Sequence, residues 1–206
     1  MTPALSRLAA VPVAAAAWTG LGVELAQSSR YWGGVSPALW SMLRYFTITT
    51  NLAVGVAFAA LAAGLPPRAC ARALAGLALS ILLVGVVFRL LLEGVSAHGS
   101  DLGNLLMHRV TPVAVPAYWL ACVPKGRLRV TDPLLWLLYP LAYLVYALVR
   151  GAVDGRYPYP FLDLAAIGPT RVAADAGVIG AGFLFTGFFC VWIDRTLGRR
   201  TREAPP

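Results

Sequence analysis

Charge is what this chain has least of: 13% of its 206 residues are Asp, Glu, Lys or Arg, while 59% are hydrophobic and the mean hydropathy is +0.71. A shortage on that scale excludes an ordinary soluble domain and implies an integral membrane protein. Histidine and cysteine are scarce too, at 2 and 3 residues. With so few imidazoles and no clustered thiols, neither a metal site nor a metal cofactor is expected. Haem-attachment and dinucleotide motifs are absent, so the expected cofactor list is empty. No internal repeat marks the inverted halves of a transporter.

What is present is a series of apolar runs, each near the roughly 20 residues that cross a hydrocarbon core about 30 Å thick. The sequence divides into six: Leu8 to Ala26, Phe46 to Leu65, Ala73 to Leu92, Leu102 to Val123, Pro133 to Val149 and Ala176 to Ile193. In lipid the backbone must satisfy its own hydrogen bonds, so runs of this length are expected to be helices. The first resembles a signal peptide, with Arg7 before it and Ala14 to Ala17 within it. It is longer than a usual signal core and closes on Glu24 and Gln27, so it is kept as a helix. The expectation is an all-α, polytopic six-helix domain over residues 1–195, with a basic cytoplasmic tail over 196–206.

The net charge of +8 is uneven. Arg7, Arg68, Arg72, Lys125, Arg127, Arg129, Arg195, Arg199, Arg200 and Arg202 fall on one side if the six runs alternate; Arg30, Arg150, Arg156 and Arg171 fall on the other. The positive-inside rule then puts both termini in the cytoplasm and explains the basic balance without nucleic acid. Anionic lipid is the expected contact of the tail, and a plasma or bacterial inner membrane the expected location. Cys70, Cys122 and Cys190 lie towards the cytoplasmic side, where reduced, inert thiols are expected.

Polar residues inside the runs are the candidates for function, because ionisable groups at membrane depth need a partner. The second run opens Arg44-Tyr45-Phe46-Thr47-Ile48-Thr49-Thr50-Asn51, with Thr47, Thr50 and Asn51 on one helical face by spacing. The fourth carries Asp101, Asn104, His108 and Thr111 on one face. Both enter from the outer side, leaving Thr47 and His108 within about 10 Å of the outer boundary at 1.5 Å per residue. A threonine hydroxyl becomes a nucleophile when a positioned base takes its proton, and His is the commonest base. The alternative is that these threonines bond carbonyls of the preceding turn and that His108 pairs with a polar neighbour.

Arg44 and Arg89 sit near helix ends and are expected to snorkel to headgroups. Arg109 is expected deeper, either holding a carboxylate or phosphate or pairing with Glu24 or Asp101. Tyr139, Tyr143 and Tyr146 form a stripe at helical spacing, read as packing and interface anchoring before substrate wall. Gly155 to Asp163 reads as a stiff segment at the outer interface that covers the site. Gly177, Gly180, Gly182 and Gly187 mark a close-packing last helix.

Phe46-Thr47, Met107-His108 with Pro112 after it, Tyr159-Pro160-Phe161-Leu162-Asp163 and Ile167-Gly168-Pro169 together resemble the androgen-induced and androgen-dependent TFPI-regulating protein family of intramembrane threonine hydrolases, which has bacterial six-helix relatives. The resemblance runs from Arg44 to Pro169. It implies hydrolysis of lipid esters such as fatty acid esters of hydroxy fatty acids, with Thr47 as nucleophile and His108 as base. Eukaryotic members carry an acidic or amide residue three positions after the nucleophile, whereas Asn51 comes four after Thr47. Aligning on it would displace the nucleophile onto Ile48, so Thr47 is retained, with Thr50 as fallback. Asn104, one turn from His108, is the candidate to fix its tautomer; Arg89, Arg109 and Tyr143 are the candidates for substrate contact. Membrane lipids and a lipid ester are the expected partners. The competing classes are a membrane protein that binds lipid or carries protons or small solutes through the same cluster, and a scaffold that packs on partner helices.

Overall fold

The computed structural model describes residues 2–94 and 100–203, with side chains as far as 199. Every regular element among the described residues is helical. Helix α1 (Pro3–Trp32) begins with Pro3 in its first turn and Thr2 accepting the Leu5 N–H, and it ends where Gly33 takes φ 74°. These are the caps that proline and glycine are suited to supply. It outruns the expected first helix because Gln27 to Trp32 stay helical although they are no longer apolar. A short α2 (Val35–Met42), not anticipated, leads into α3 (Phe46–Ala63).

After a 3₁₀ turn (Pro67–Ala69), α4 (Ala71–Val87) continues into a π-helical turn (Phe88–Leu92). The expected fourth helix is one helical rod of three kinds: α5 (Asp101–Leu105), a π turn (Leu106–Val110) and α6 (Thr111–Cys122). Helix α7 (Asp132–Asp154) extends five residues past the expected Val149 before Gly155 turns it. A 3₁₀ turn (Pro160–Leu162) then leads to α8 (Leu164–Glu203), kinked where Gly168 leaves helical geometry before Pro169. The expected tail begins inside α8, which stays helical to Glu203; residues 204–206 lie outside the described residues.

Among the described residues five helices are long and apolar enough to cross a membrane: Pro3–Trp32, Phe46–Ala63, Ala71–Leu92, Asp132–Asp154 and the stretch Leu164–Arg199 of α8. Their outward faces carry large apolar side chains, with Val153 80%, Phe185 77% and Val178 74% exposed. Thr50, Asn51, Thr111 and Asp132 are meanwhile fully buried. Water would penalise such a surface, whereas hydrocarbon accepts it, so the chain folds as an apolar-surfaced helical membrane protein. The interior is held by Val54, Phe58, Leu61, Ile81 and Val115. Gly55 lets α1 and α3 approach until a Cβ there would meet the Trp18 ring at 2.9 Å.

We call the end of the bundle where α3 begins the upper end. At the lower end, Arg72 on α4 binds the buried Asp132 through Nε at 2.9 Å, and the Arg129 N–H adds a further bond of 2.9 Å. Asp194 of α8, 1% exposed, accepts the Leu128 N–H at 2.9 Å. The Lys125 ammonium donates to the Val123 carbonyl at 2.9 Å and to the Trp119 carbonyl, and it sits 4.1 Å from the Trp119 ring centre. The thiols are free, and burial pushes Cys70 up from its ordinary value, which keeps it inert.

Candidate functional site

Thr47 is the second residue of α3 and His108 lies in the middle of the π turn. The turn has a covalent cause. Pro112 has no N–H for the His108 carbonyl and its ring would crowd that carbonyl, and the helix widens so that the Thr111 N–H reaches back to Leu106. Gly85 on α4 faces this widened turn, where a Cβ would lie 2.7 Å from Pro112 and 3.4 Å from the His108 carbonyl. The close approach brings Phe88 onto the imidazole, rings stacked with centroids 4.1 Å apart and planes at 22°. π turns of this kind recur at functional sites.

The other face of the imidazole's turn meets α3. Thr47 Oγ1 and His108 Nε2 are 3.3 Å apart, the long edge of hydrogen-bond reach and usual for a site without substrate. Neighbouring hydroxyls are spent differently. Thr49, Thr186 and Thr196 each bond a carbonyl of the preceding turn, and Thr111 divides its bond between the Met107 carbonyl and Asn51. Thr47 is thus set apart from the ordinary helical threonine.

Asn51 explains why the pair meets. Its amide donates to the Thr47 carbonyl at 2.9 Å and to the Met107 carbonyl at 3.4 Å, and its oxygen accepts from Thr111 at 2.8 Å. One fully buried amide therefore ties the backbone of the nucleophile candidate to that of the residue before the base candidate. Thr50 does not share that face. Its hydroxyl turns to α7 and pairs with the Tyr139 hydroxyl at 3.1 Å, which also reaches Thr49. The expected common face of Thr47, Thr50 and Asn51 splits this way because two neighbours, the α5–α6 rod and α7, flank α3.

Sequence reasoning gave Tyr159 no individual role. Its hydroxyl accepts the Phe46 N–H at 3.0 Å, an otherwise orphaned donor of the first turn of α3, and it also contacts the Thr47 side chain. Burial pushes its phenol up, so it keeps its proton. The run of aromatics and prolines in 157–161 was the available signal: the expected cover does lie over the site, with Pro158, Tyr159 and Pro160 forming cavity wall.

Two cavities meet here. A narrow apolar one of about 100 Å³ runs among α4, α7 and α8, lined by residues such as Leu83, Val87, Leu141, Ile179 and Phe183. A wider one of about 400 Å³ opens among α1, α2 and the 158–160 segment, with Glu24, Ser28, Ser41 and Asn104 in its wall. Thr47, Phe88, Leu92, His108 and Tyr159 line both.

The remaining candidates fall as follows. Tyr143 lines the apolar cavity while its hydroxyl donates to the Arg44 carbonyl at 2.7 Å. Tyr146 donates to the Leu43 carbonyl at 3.1 Å, so the tyrosine stripe is mainly packing, as expected. Asn104 lines the wider cavity and approaches the imidazole through its backbone carbonyl and not its side chain; His108 Nδ1 is buried, with no hydrogen bond of good geometry among the described residues. Arg89 and Arg109 lie outside the lining of both cavities and pair with Glu93, Arg109 at 3.1 Å and 63% exposed. Arg109 therefore faces outward and is paired with Glu93, not inward to a ligand or to Glu24 or Asp101 as expected.

Arg44 does not snorkel. It is 7% exposed and binds Asp154 at 2.9 Å, with Arg150 on the same carboxylate at 3.3 Å. Of the four α8 glycines expected to pack closely, only Gly187 does, a Cβ there lying 2.9 Å from Pro133, whereas Gly177, Gly180 and Gly182 face open space. Among the described residues no His, Cys, Asp and Glu cluster suits a metal ion. No family model, curated protein or solved structure matches the chain.

Proposed function

We propose that this chain is an intramembrane lipid-ester hydrolase of six crossings, with the α5–α6 rod as the fourth and both termini cytoplasmic, in a plasma or bacterial inner membrane. The observation that carries the reading is the Thr47–His108 pair at the waist between an apolar and a polar cavity. An ester has the same division: an acyl chain on one side of the reacting carbonyl and an alcohol on the other. The motifs from Phe46 to Pro169 favour kinship with the androgen-induced hydrolases, and fatty acid esters of hydroxy fatty acids are the substrates that kinship suggests.

In the mechanism, Thr47 Oγ1 attacks the ester carbonyl as its proton passes to His108 Nε2. The tetrahedral oxyanion collapses, the bond to the alcohol oxygen breaks, and the imidazolium returns the proton to the leaving alkoxide. Water then attacks the acyl-threonine, giving up a proton to His108, and the acid leaves as that proton returns to Thr47. The positive end of α3 favours negative charge beside Thr47, and the protonated Tyr159, which contacts the Thr47 side chain, is the candidate side-chain donor to the developing oxyanion. Asn51 positions both partners without touching substrate.

The test is labelling by a fluorophosphonate probe. Thr47→Ala and His108→Ala are expected to lose the label and Thr50→Ala to keep it. Labelling that survives in both of the first two variants would sink the assignment.

A further inference from the structure

The wider cavity has an unusual balance of charge for a site suggested to take an ester that bears a free carboxylate. Beyond Thr47, His108 and Tyr159, its polar wall is made by Glu24, Ser28, Ser41, Asn104 and the tyrosines Tyr31 and Tyr45, and Glu24 is the one carboxylate or arginine among its described lining. The Glu24 carboxylate accepts from the Ser28 hydroxyl at 3.3 Å and from the Ser100 backbone, and keeps acceptor capacity to spare. Three arginines near this end are committed elsewhere. Arg44 is held by Asp154 and the Arg156 carbonyl, while Arg89 and Arg109 are held by Glu93. Arg156 lies 5.5 Å from the Trp32 ring at the rim, and Arg30 and Asp101 are exposed.

We infer, on the basis of the hydrolase reading of the same site, that the wider cavity receives the alcohol part of the ester as an uncharged, hydroxyl-bearing group such as glycerol, and disfavours an alcohol part with a free carboxylate. Hydroxyls both donate and accept. They suit a wall of serines, tyrosines and an amide, and a hydroxyl donating to Glu24 forms a charge-assisted bond. A carboxylate would face Glu24 with no lining cation in compensation, and like charges set close in a partly desolvated cavity repel strongly. The volume of about 400 Å³ is within the range of small-molecule sites, roughly 300–1,000 Å³. The apolar cavity on the far side of Thr47 takes the acyl chain.

Two non-hydrolysable ethers with the same alkyl chain separate the cases: a 1-O-alkylglycerol and an O-alkyl hydroxy fatty acid. Their binding to the full chain in detergent is measured by tryptophan fluorescence at neutral pH. The glycerol ether is expected to bind at least about tenfold more tightly, a preference set by repulsion against the wrong ligand. Glu24→Gln should narrow the ratio by improving the carboxylate ether, and Asn104→Asp should widen it. The inference is overturned if the carboxylate ether binds the unaltered protein as tightly as the glycerol ether or more so, with Arg156→Gln then identifying the cation responsible. It is overturned equally if neither Glu24→Gln nor Asn104→Asp moves the ratio. Because the readout is binding, the inference fails on this ratio, whereas the hydrolase reading fails on Thr47 labelling.

Discussion

The two ends of the bundle use the same kinds of polar side chain to opposite effect. At the lower end Asp132, Asp194 and Lys125 spend their hydrogen-bonding atoms on arginine, backbone N–H and backbone carbonyl, which ties the connecting loops to α4, α6 and α8. At the upper end Asn51 and Thr111 form an equally closed knot, but just above it Thr47 faces His108 at 3.3 Å and the imidazole's Nδ1 lacks a hydrogen bond of good geometry among the described residues. The contrast is between polar groups saturated by structural partners at one end and a loosely bonded Thr47–His108 pair, opening on two cavities, at the other.

The sharpest test of the contrast is His108→Ala. If His108 is the base, ester turnover should fall by about 10²- to 10⁴-fold, whereas the loss of its stacking on Phe88 should cost roughly 1 kcal/mol of stability. Turnover measured beside thermal unfolding in the same detergent separates the two. A loss of stability large enough to explain the loss of activity would place His108 with the structural residues.

Asn51→Leu should have the next largest effect, and of mixed kind. The substitution removes the amide that bonds the Thr47 and Met107 carbonyls and accepts from Thr111, at roughly 1–3 kcal/mol for polar groups left unsatisfied. It also frees the two backbones that hold the reactive pair, and a shift of about 1 Å can cost 10²-fold in rate. The fluorophosphonate rate of the folded fraction should drop about 10- to 100-fold. An unchanged rate would mean that the pair is set by the Gly85–Pro112 approach alone.

What was legible in the sequence follows this same division. The apolar runs gave the long helices because hydropathy is a local property. Thr47 and His108 were legible because a polar residue in an apolar run stands out. Arg44 and Arg109 were misplaced because their depth depends on features with no local signature: Asp154 is remote in sequence, and the π turn shifts the register of everything around His108. Pro112 was the visible cause of that turn, yet a proline in a membrane helix has several outcomes. Tyr159 was hidden because its role, capping the first turn of α3, is assigned across more than a hundred residues.

Asp194→Ala tests the saturated end. The aspartate is 1% exposed and its loss leaves the buried Leu128 N–H without its acceptor, a cost of about 1–3 kcal/mol. Unfolding should move to lower temperature by that amount while turnover per folded molecule stays the same. A fall in turnover at constant stability would show that the lower end reaches the site, and the comparison between the two ends would fail.

The smallest effect, and the finest probe of the lower end, is the pH dependence that Lys125 contributes. Burial pulls its ammonium down from the ordinary 10.5 to about 8, although the nearby Asp194 carboxylate offsets part of that cost. Between these values the unfolded chain binds more protons than the folded one, so stability rises with pH through that window. Below about pH 8 both states carry the charge and the full penalty is present. Partial solvent access should hold the whole change to about 1 kcal/mol or less. Lys125→Met removes the charge and should flatten the rise between pH 8 and 10 relative to the unaltered protein. A slope of equal size in both would assign the titration to another group and leave Lys125 as a carbonyl clamp alone.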